Sequence, residues 1–155
     1  MSEIEKWNKP PNTRPLQTGY FMNALTFSVE HLGLAARDPR ALADWYIRVL
    51  GGREVWQNGQ KPPAVFVNLP GGPMLELYPT QLAVPQTADN RTAGWRHVAL
   101  RAPAIEAAAD ELRRRGVTIT ESIKPAGGGG RVLFFADAEG NLLHLVERTA
   151  DSAFA

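Results

Sequence analysis

EHLGLAARDPRALADWYIRVLGG, running from Glu30 to Gly52, decides how this chain is read. The preceding residues and its own start, FSVEHLGLAA, alternate as a strand that carries His31. Val29, His31, Gly33 and Ala35 fall on one face, and Glu30, Leu32, Leu34 and Ala36 on the other. Asp38-Pro39 turns the chain into a helix over about 40–49, which Gly51-Gly52 stops. Leu42, Trp45, Tyr46, Val49 and Leu50 recur at helical spacing and are expected to pack on a sheet. The pattern returns 66 residues later as RHVALRAPAIEAAADELRRRG, Arg96 to Gly116, with His97 in the strand as His31 is in the first. His31 lies 20 residues before Gly51 and His97 lies 19 before Gly116. The chain is therefore read as a duplicated unit.

Each copy continues with strands. The first has Arg53–Asn58, Ala64–Leu69 and Met74–Tyr78, separated by turns at 59–63 and 70–72. The second has a helix over about 103–115, strands at 117–122, 132–135 and 142–146, and a Gly127–Gly130 loop. The order in each copy is strand, helix, three strands. Residues 1–24 read as an N-terminal arm or a disordered tail; an arm packed on a partner subunit would cover Trp7, Tyr20 and Phe21, otherwise exposed. One domain spans 25–148, as module 1 at 25–79 and module 2 at 95–148, with a linker between them and a tail at 149–155.

Bulk properties narrow the classes. The 155 residues suffice for one full core, and 44 % hydrophobic with 21 % charged residues is ordinary for a globular protein. A net charge of +1 argues against a nucleic-acid or anionic-membrane surface. Arg113, Arg114 and Arg115 are assigned to a helix C-terminus and solvent. The absence of cysteine excludes disulfides, thiolate metal sites and cysteine nucleophiles, and it suits a reducing compartment. No apolar run approaches the roughly 20 residues that span a bilayer, so a cytoplasmic protein is expected.

The chain has three histidines, His31, His97 and His144, and all fall in expected strands. Glu76 also lies mid-strand, between Leu75 and Leu77. From His31 to Glu76 is 45 residues and from His97 to His144 is 47, so each copy offers one donor on its first strand and one on its last. Singly, each has a plainer explanation, as a hydrogen-bonded core histidine or a solvated glutamate. Together, at matching places in a duplicated unit, they point to one divalent metal ion. A carboxylate buried in an apolar strand is costly unless paired or metal-bound. Imidazole with carboxylate suits zinc, nickel, iron, cobalt or manganese. The four converge if the copies pack about a pseudo-two-fold axis.

HLGLAARD with the helix ending WYIRVLGG, LELY at Leu75–Tyr78, RHVAL at Arg96–Leu100 and FFADAEGNLLHLVE at Phe134–Glu147 resemble the vicinal oxygen chelate superfamily over about residues 27–148. This superfamily includes glyoxalase I, bleomycin and fosfomycin resistance proteins, methylmalonyl-CoA epimerase and extradiol dioxygenases. The resemblance implies an α+β fold of two tandem βαβββ modules forming an open curved β-barrel around a metal. Its ligand positions fall on His31, Glu76, His97 and 144. The chain departs at 144, where the family pattern has Glu and this chain has His, and at Ala138, where the family turn usually has Pro. Glu147 does not substitute, because three residues along a strand reverses the face. The set then holds one carboxylate, leaving the site formally at +1 and Glu76 as the candidate general base. Arg101 and Tyr78, and more weakly Asn68, are candidates for binding an anionic substrate.

The resemblance implies a metal-dependent lyase or isomerase of the glyoxalase kind acting on a small oxygen-chelating substrate. The alternatives are a metal-free or metal-holding bleomycin-resistance-like small-molecule binding protein and an extradiol-type dioxygenase. The dioxygenase ranks lower because module 2 offers two histidines and no carboxylate, and fosfomycin-type transfer lacks a cation-rich pocket. The family also implies a homodimer.

Overall fold

The computed structural model describes residues 29–82, 91, 94 and 96–152. The expected arm and most of the linker lie outside the described residues. The elements run β1 (His31–Ala36), α1 (Pro39–Leu50), β2 (Arg53–Gln57), β3 (Val65–Asn68), β4 (Met74–Pro79), β5 (His97–Arg101), α2 (Ile105–Arg114), β6 (Lys124–Pro125), β7 (Arg131–Ala136) and β8 (Leu142–Glu147). Two four-stranded sheets form, ordered β1-β4-β3-β2 and β5-β8-β7-β6. In each, the first strand of the module runs parallel to the last and the remaining pairs are antiparallel. These are the two βαβββ modules the repeat predicts, and neither sheet closes on itself.

Local chemistry sets the helix bounds. Asp38 accepts a hydrogen bond from Ala41 N–H at 2.9 Å, and Pro39 opens α1 where its missing N–H costs nothing. Gly51 ends the helix at φ 71°, with its N–H on Ile47 and Tyr46 carbonyls, a conformation glycine adopts without a Cβ clash. In module 2 the side chain that serves the helix start comes from β8, where Glu147 accepts from Ile105 N–H at 2.8 Å.

Two sequence expectations shift, while the arginine run stays exposed at the end of α2 as expected. His31 and His97 are the first residues of their strands rather than mid-strand. No regular strand forms at 117–122. Val117 N–H instead closes on Leu112 carbonyl, and pairing with β7 begins only at Lys124 and stops at Pro125, which has no N–H. The arginine run ending α2 pairs with Asp110 and Glu111, and Arg115 also donates to Val49 carbonyl of module 1 at 2.8 Å.

Each helix covers one face of its sheet. Leu42, Trp45, Tyr46 and Val49 bury against Val65, Val67, Leu75 and Leu77. Ile105, Ala109 and Leu112 bury with Leu133, Phe135, Leu143 and Leu145. Each of these larger side chains contributes about 1.5–3 kcal/mol on leaving water. The opposite faces of the sheets are left open.

Polar contacts tie the modules together at one end of α1 and along it. Glu139, in the β7–β8 turn, accepts from the backbone N–H groups of Arg37 and Asp38 at 2.9 and 2.8 Å. Tyr46 Oη donates to Asp137 Oδ2 at 3.0 Å, with both residues buried. Arg48 donates to Arg115 carbonyl at 2.9 Å. Among the described residues, no helix is long and apolar enough to cross a membrane.

Candidate metal centre

The open face of sheet 1 is built by register. Gly33 of β1 lies beside Glu76 of β4, Glu76 opposite Phe66 of β3, and Phe66 opposite Trp56 of β2. One residue pair along, His31 lies beside Met74. The imidazole of His31 reaches diagonally, so that Nε2 sits 3.5 Å from Glu76 Oε2. Its Nδ1 contacts Glu30. The hydrogen bond to Glu30, with the charges of Glu30 and Glu76, holds the His31 imidazole above the ordinary histidine range.

Sheet 2 repeats the arrangement. Ala99 lies beside His144, and His144 opposite Phe134. The His97 and His144 rings lie with centroids 4.5 Å apart, and Phe134 meets His144 edge-on at 4.8 Å and His97 at 5.9 Å. Phe66 meets His31 edge-on at 5.3 Å in the same way. Burial, then the neighbouring His97 and Arg148, push the His144 pKa down to about 4, so its imidazole is neutral across the physiological range. Its Nδ1 is buried and has no hydrogen-bond partner among the described residues.

Each module thus gathers two of the four expected donors on its open face. One chain does not gather all four: among the described residues no group of three or more ligating side chains converges. The within-chain packing explains this, because it joins the modules through α1 and the β7–β8 turn. The donors that are present fit a metal. Two imidazoles beside one another, and an imidazole beside a carboxylate, are the ligand chemistry of a transition dication. The buried nitrogen of His144, without a partner among the described residues, is costly unless another group meets it.

The candidate substrate residues separate. Tyr78 is on the same face, and a Cβ on Gly33 would come 3.3 Å from its ring and 4.0 Å from Glu76 Oε2, so phenol and carboxylate border one spot. Arg101 lines a cavity of about 700 Å³ between the modules, with Leu50, Leu69 and Arg148. Asn68 is exposed at the end of β3, opposite Met74 and Arg53. Phe66, Phe134 and Trp56 were not singled out from sequence. The two phenylalanines carry a signal in the repeat, since each lies ten residues before the donor on its module's last strand. Trp56 carries none.

Comparison with known proteins agrees with this architecture. The chain is similar in fold to TnmS3, an antibiotic binding protein from Streptomyces sp. CB03234, at 20% identity and TM-score 0.63 over 81% of this chain and 98% of that one. It is similar to a glyoxalase family protein from Enterococcus faecalis at 22% identity and TM-score 0.66, over 77% and 97% of the two chains. A member of the Glyoxalase/bleomycin resistance protein/dioxygenase superfamily from Sphaerobacter thermophilus DSM 20745 matches at 27% identity and TM-score 0.60, over 79% and 98%. No curated protein sequence matches. The family model of the Glyoxalase/Bleomycin resistance protein/Dioxygenase superfamily matches residues 28–145. The repeated module, the open sheets and this match across most of its length establish that the chain belongs to that superfamily.

Proposed function

We propose that the protein is a homodimeric, divalent-metal-dependent enzyme of the glyoxalase kind, a lyase or isomerase acting on a small substrate with two neighbouring oxygens. His31 and Glu76 of one copy and His97 and His144 of the second would hold the ion. The observation that carries this reading is the matched pair of half-sites. Each module places two donors on the open face of its sheet at the same register, and one chain leaves the halves apart. The strands at those faces, β1 and β5, are end strands of their sheets, which gives a second copy an edge to meet.

A bound dication would act as a Lewis acid, stabilising negative charge on a substrate oxygen. With one carboxylate among the donors, the site would keep a formal +1 and favour an anionic oxygen. Glu76 is the residue placed to take a proton from the substrate, because it is the carboxylate on that face and its side chain is 30% exposed. Tyr78, bordering the same spot, would orient a substrate oxygen through its hydroxyl. Phe66 and Phe134 meet the imidazole rings edge-on and would limit how far they turn.

A second reading, a small-molecule binding protein that performs no chemistry, has its own support. Val55, Trp56 and Tyr78 are exposed. TnmS3, of similar fold, is an antibiotic binding protein.

Metal analysis of tag-free protein tests the metal site that the enzyme reading requires. One equivalent of transition metal per chain is expected in the wild type and none in a His31→Ala, His97→Ala variant with intact fold. Absence of metal after reconstitution would overturn the enzyme reading. The shared site has its own test. A His31→Ala, Glu76→Ala chain co-refolded with a His97→Ala, His144→Ala chain should regain one intact site per mixed dimer, although neither chain binds alone. Failure of the mixture to bind would show that the site is not built from two copies.

A further inference from the structure

The pairing of β2 with β3 slips between Glu54 and Trp56. Arg53 faces Asn68 and Glu54 faces Val67, but the next pair is Trp56 with Phe66, leaving Val55 as the extra residue of a bulge. Strict alternation from Arg53 would turn Val55 to the open face and Trp56 towards α1. The bulge reverses this. Glu54 stays on the helix side, held by Arg40 at 2.7 Å, and Trp56 comes out beside Phe66. Bulges are used in this way next to sites, to re-aim one side chain.

The result is a row across the open face: Gly33, Glu76, Phe66, Trp56. Trp56 meets Phe66 edge-on at 5.7 Å, and Phe66 meets His31 at 5.3 Å. The largest side chain type in the protein is left 54% exposed at the end of an aromatic row that begins at the candidate donors. Trp56 stands two strands from Glu76, roughly 10 Å at strand spacing. That separation takes one fused ring system between the oxygens held at His31 and Glu76 and the indole.

Resting on the metal-site reading above, we propose that Trp56 and Phe66 form a ring-binding subsite, so that the substrate carries a planar aromatic group beside its paired oxygens. Trp56 is then the specificity-determining residue of the site. Among the described residues it has no counterpart in module 2, where β6 pairs only through Lys124 and Pro125. The ring therefore binds on the module 1 side alone.

Two probes with one chelating head test this: acetohydroxamate and 2-naphthohydroxamate, titrated calorimetrically into zinc-reconstituted protein. The naphthyl probe should bind the wild type at least about tenfold more tightly, as expected for a buried stacked ring. Trp56→Ala should lose most of that preference while binding acetohydroxamate as before, and Trp56→Phe should keep part of it. Equal affinity of both probes for the wild type, or full ring preference in Trp56→Ala, would overturn the subsite and leave the metal reading standing. Failure of both probes to bind zinc-loaded protein would overturn the subsite, and failure of the protein to take up zinc would overturn the metal reading and the subsite with it. Sedimentation of Trp56→Ala covers the other use of an exposed tryptophan: a change of oligomeric state with ring preference intact assigns Trp56 to subunit contact and overturns the proposal.

Discussion

Replacing Tyr46 by Phe removes one hydroxyl from the junction between the modules. That hydroxyl donates to Asp137 Oδ2 at 3.0 Å, and Tyr46 and Asp137 are only 2% and 7% exposed. Asp137 keeps three other donors: Glu139 N–H and Asn141 N–H at 2.9 Å, and Asn141 Nδ2 at 2.8 Å. A hydrogen bond to a charged group is worth about 1.5–3 kcal/mol, and the surviving donors put this loss at the lower end, about 1.5–2 kcal/mol. For a chain of this length the midpoint of thermal unfolding should fall by roughly 3–8 °C. Asp137→Ala should cost about 3 kcal/mol or more, since it strands a buried hydroxyl and the donors of the turn together. Urea unfolding of both single variants and the double variant measures the coupling. The sign of a pH effect follows as well. Burial, then the charge and hydrogen bond of Asp137, raise the Tyr46 pKa well above its usual 10.0. Tyr46 therefore contributes stability that is fully present below about pH 10 and is lost as pH rises towards the folded-state value, and Tyr46→Phe should lack this component. A Tyr46→Phe variant within about 0.5 kcal/mol of wild type would refute the claim that this contact holds the modules together.

Three further outcomes follow from named contacts. Gly130→Ala should destabilise by about 3 kcal/mol or more, read by thermal melting, because its φ is 101° and a Cβ would lie 2.0 Å from Glu147 carbonyl oxygen. In metal-free protein, NMR titration should place His144 near 4 and His31 above the ordinary 6.5, and His97→Ala should raise the His144 value by removing the neighbouring imidazole. Because the His144 value is depressed on folding, its contribution to stability is fully present above about 6.5 and is lost as pH falls towards about 4. Phe134→Ala should weaken zinc affinity by roughly tenfold or more with little change in the circular dichroism spectrum, because the ring holds both His97 and His144 edge-on; an unchanged affinity would remove Phe134 from the site.

Much of the candidate site was legible because strand geometry is simple. A period of two, applied to VEHLGLAA, MLELY, RHVAL and LLHLV, puts His31, Glu76, His97 and His144 on one face of each sheet. The duplicated spacing then pairs them within modules, as found. Arg101 and Asn68 show the limit of the same rule. They share a face with the donors, but distance along the strand carries Asn68 to the end of β3 and places Arg101 at the cavity between modules.

By itself, then, the sequence determined the local elements and the repeat. Asp38-Pro39 and Gly51 fix α1, the apolar alternation separates the two faces of each strand, and the repeat fixes the strand, helix, three-strand order of each module. These depend on backbone dihedrals and burial periodicity, which are properties of neighbouring residues. Tertiary structure alone decided three things. Tyr46 and Glu139 dock α1 against the β7–β8 turn, so the two donor pairs of one chain stay apart. Sheet pairing inserted Val55 as a bulge and turned Trp56 to the open face. Packing set Phe66 and Phe134 against the imidazoles. Each arises between segments far apart in the chain, where the outcome depends on which surfaces meet and which hydrogen bonds remain to be satisfied, and no local pattern records that.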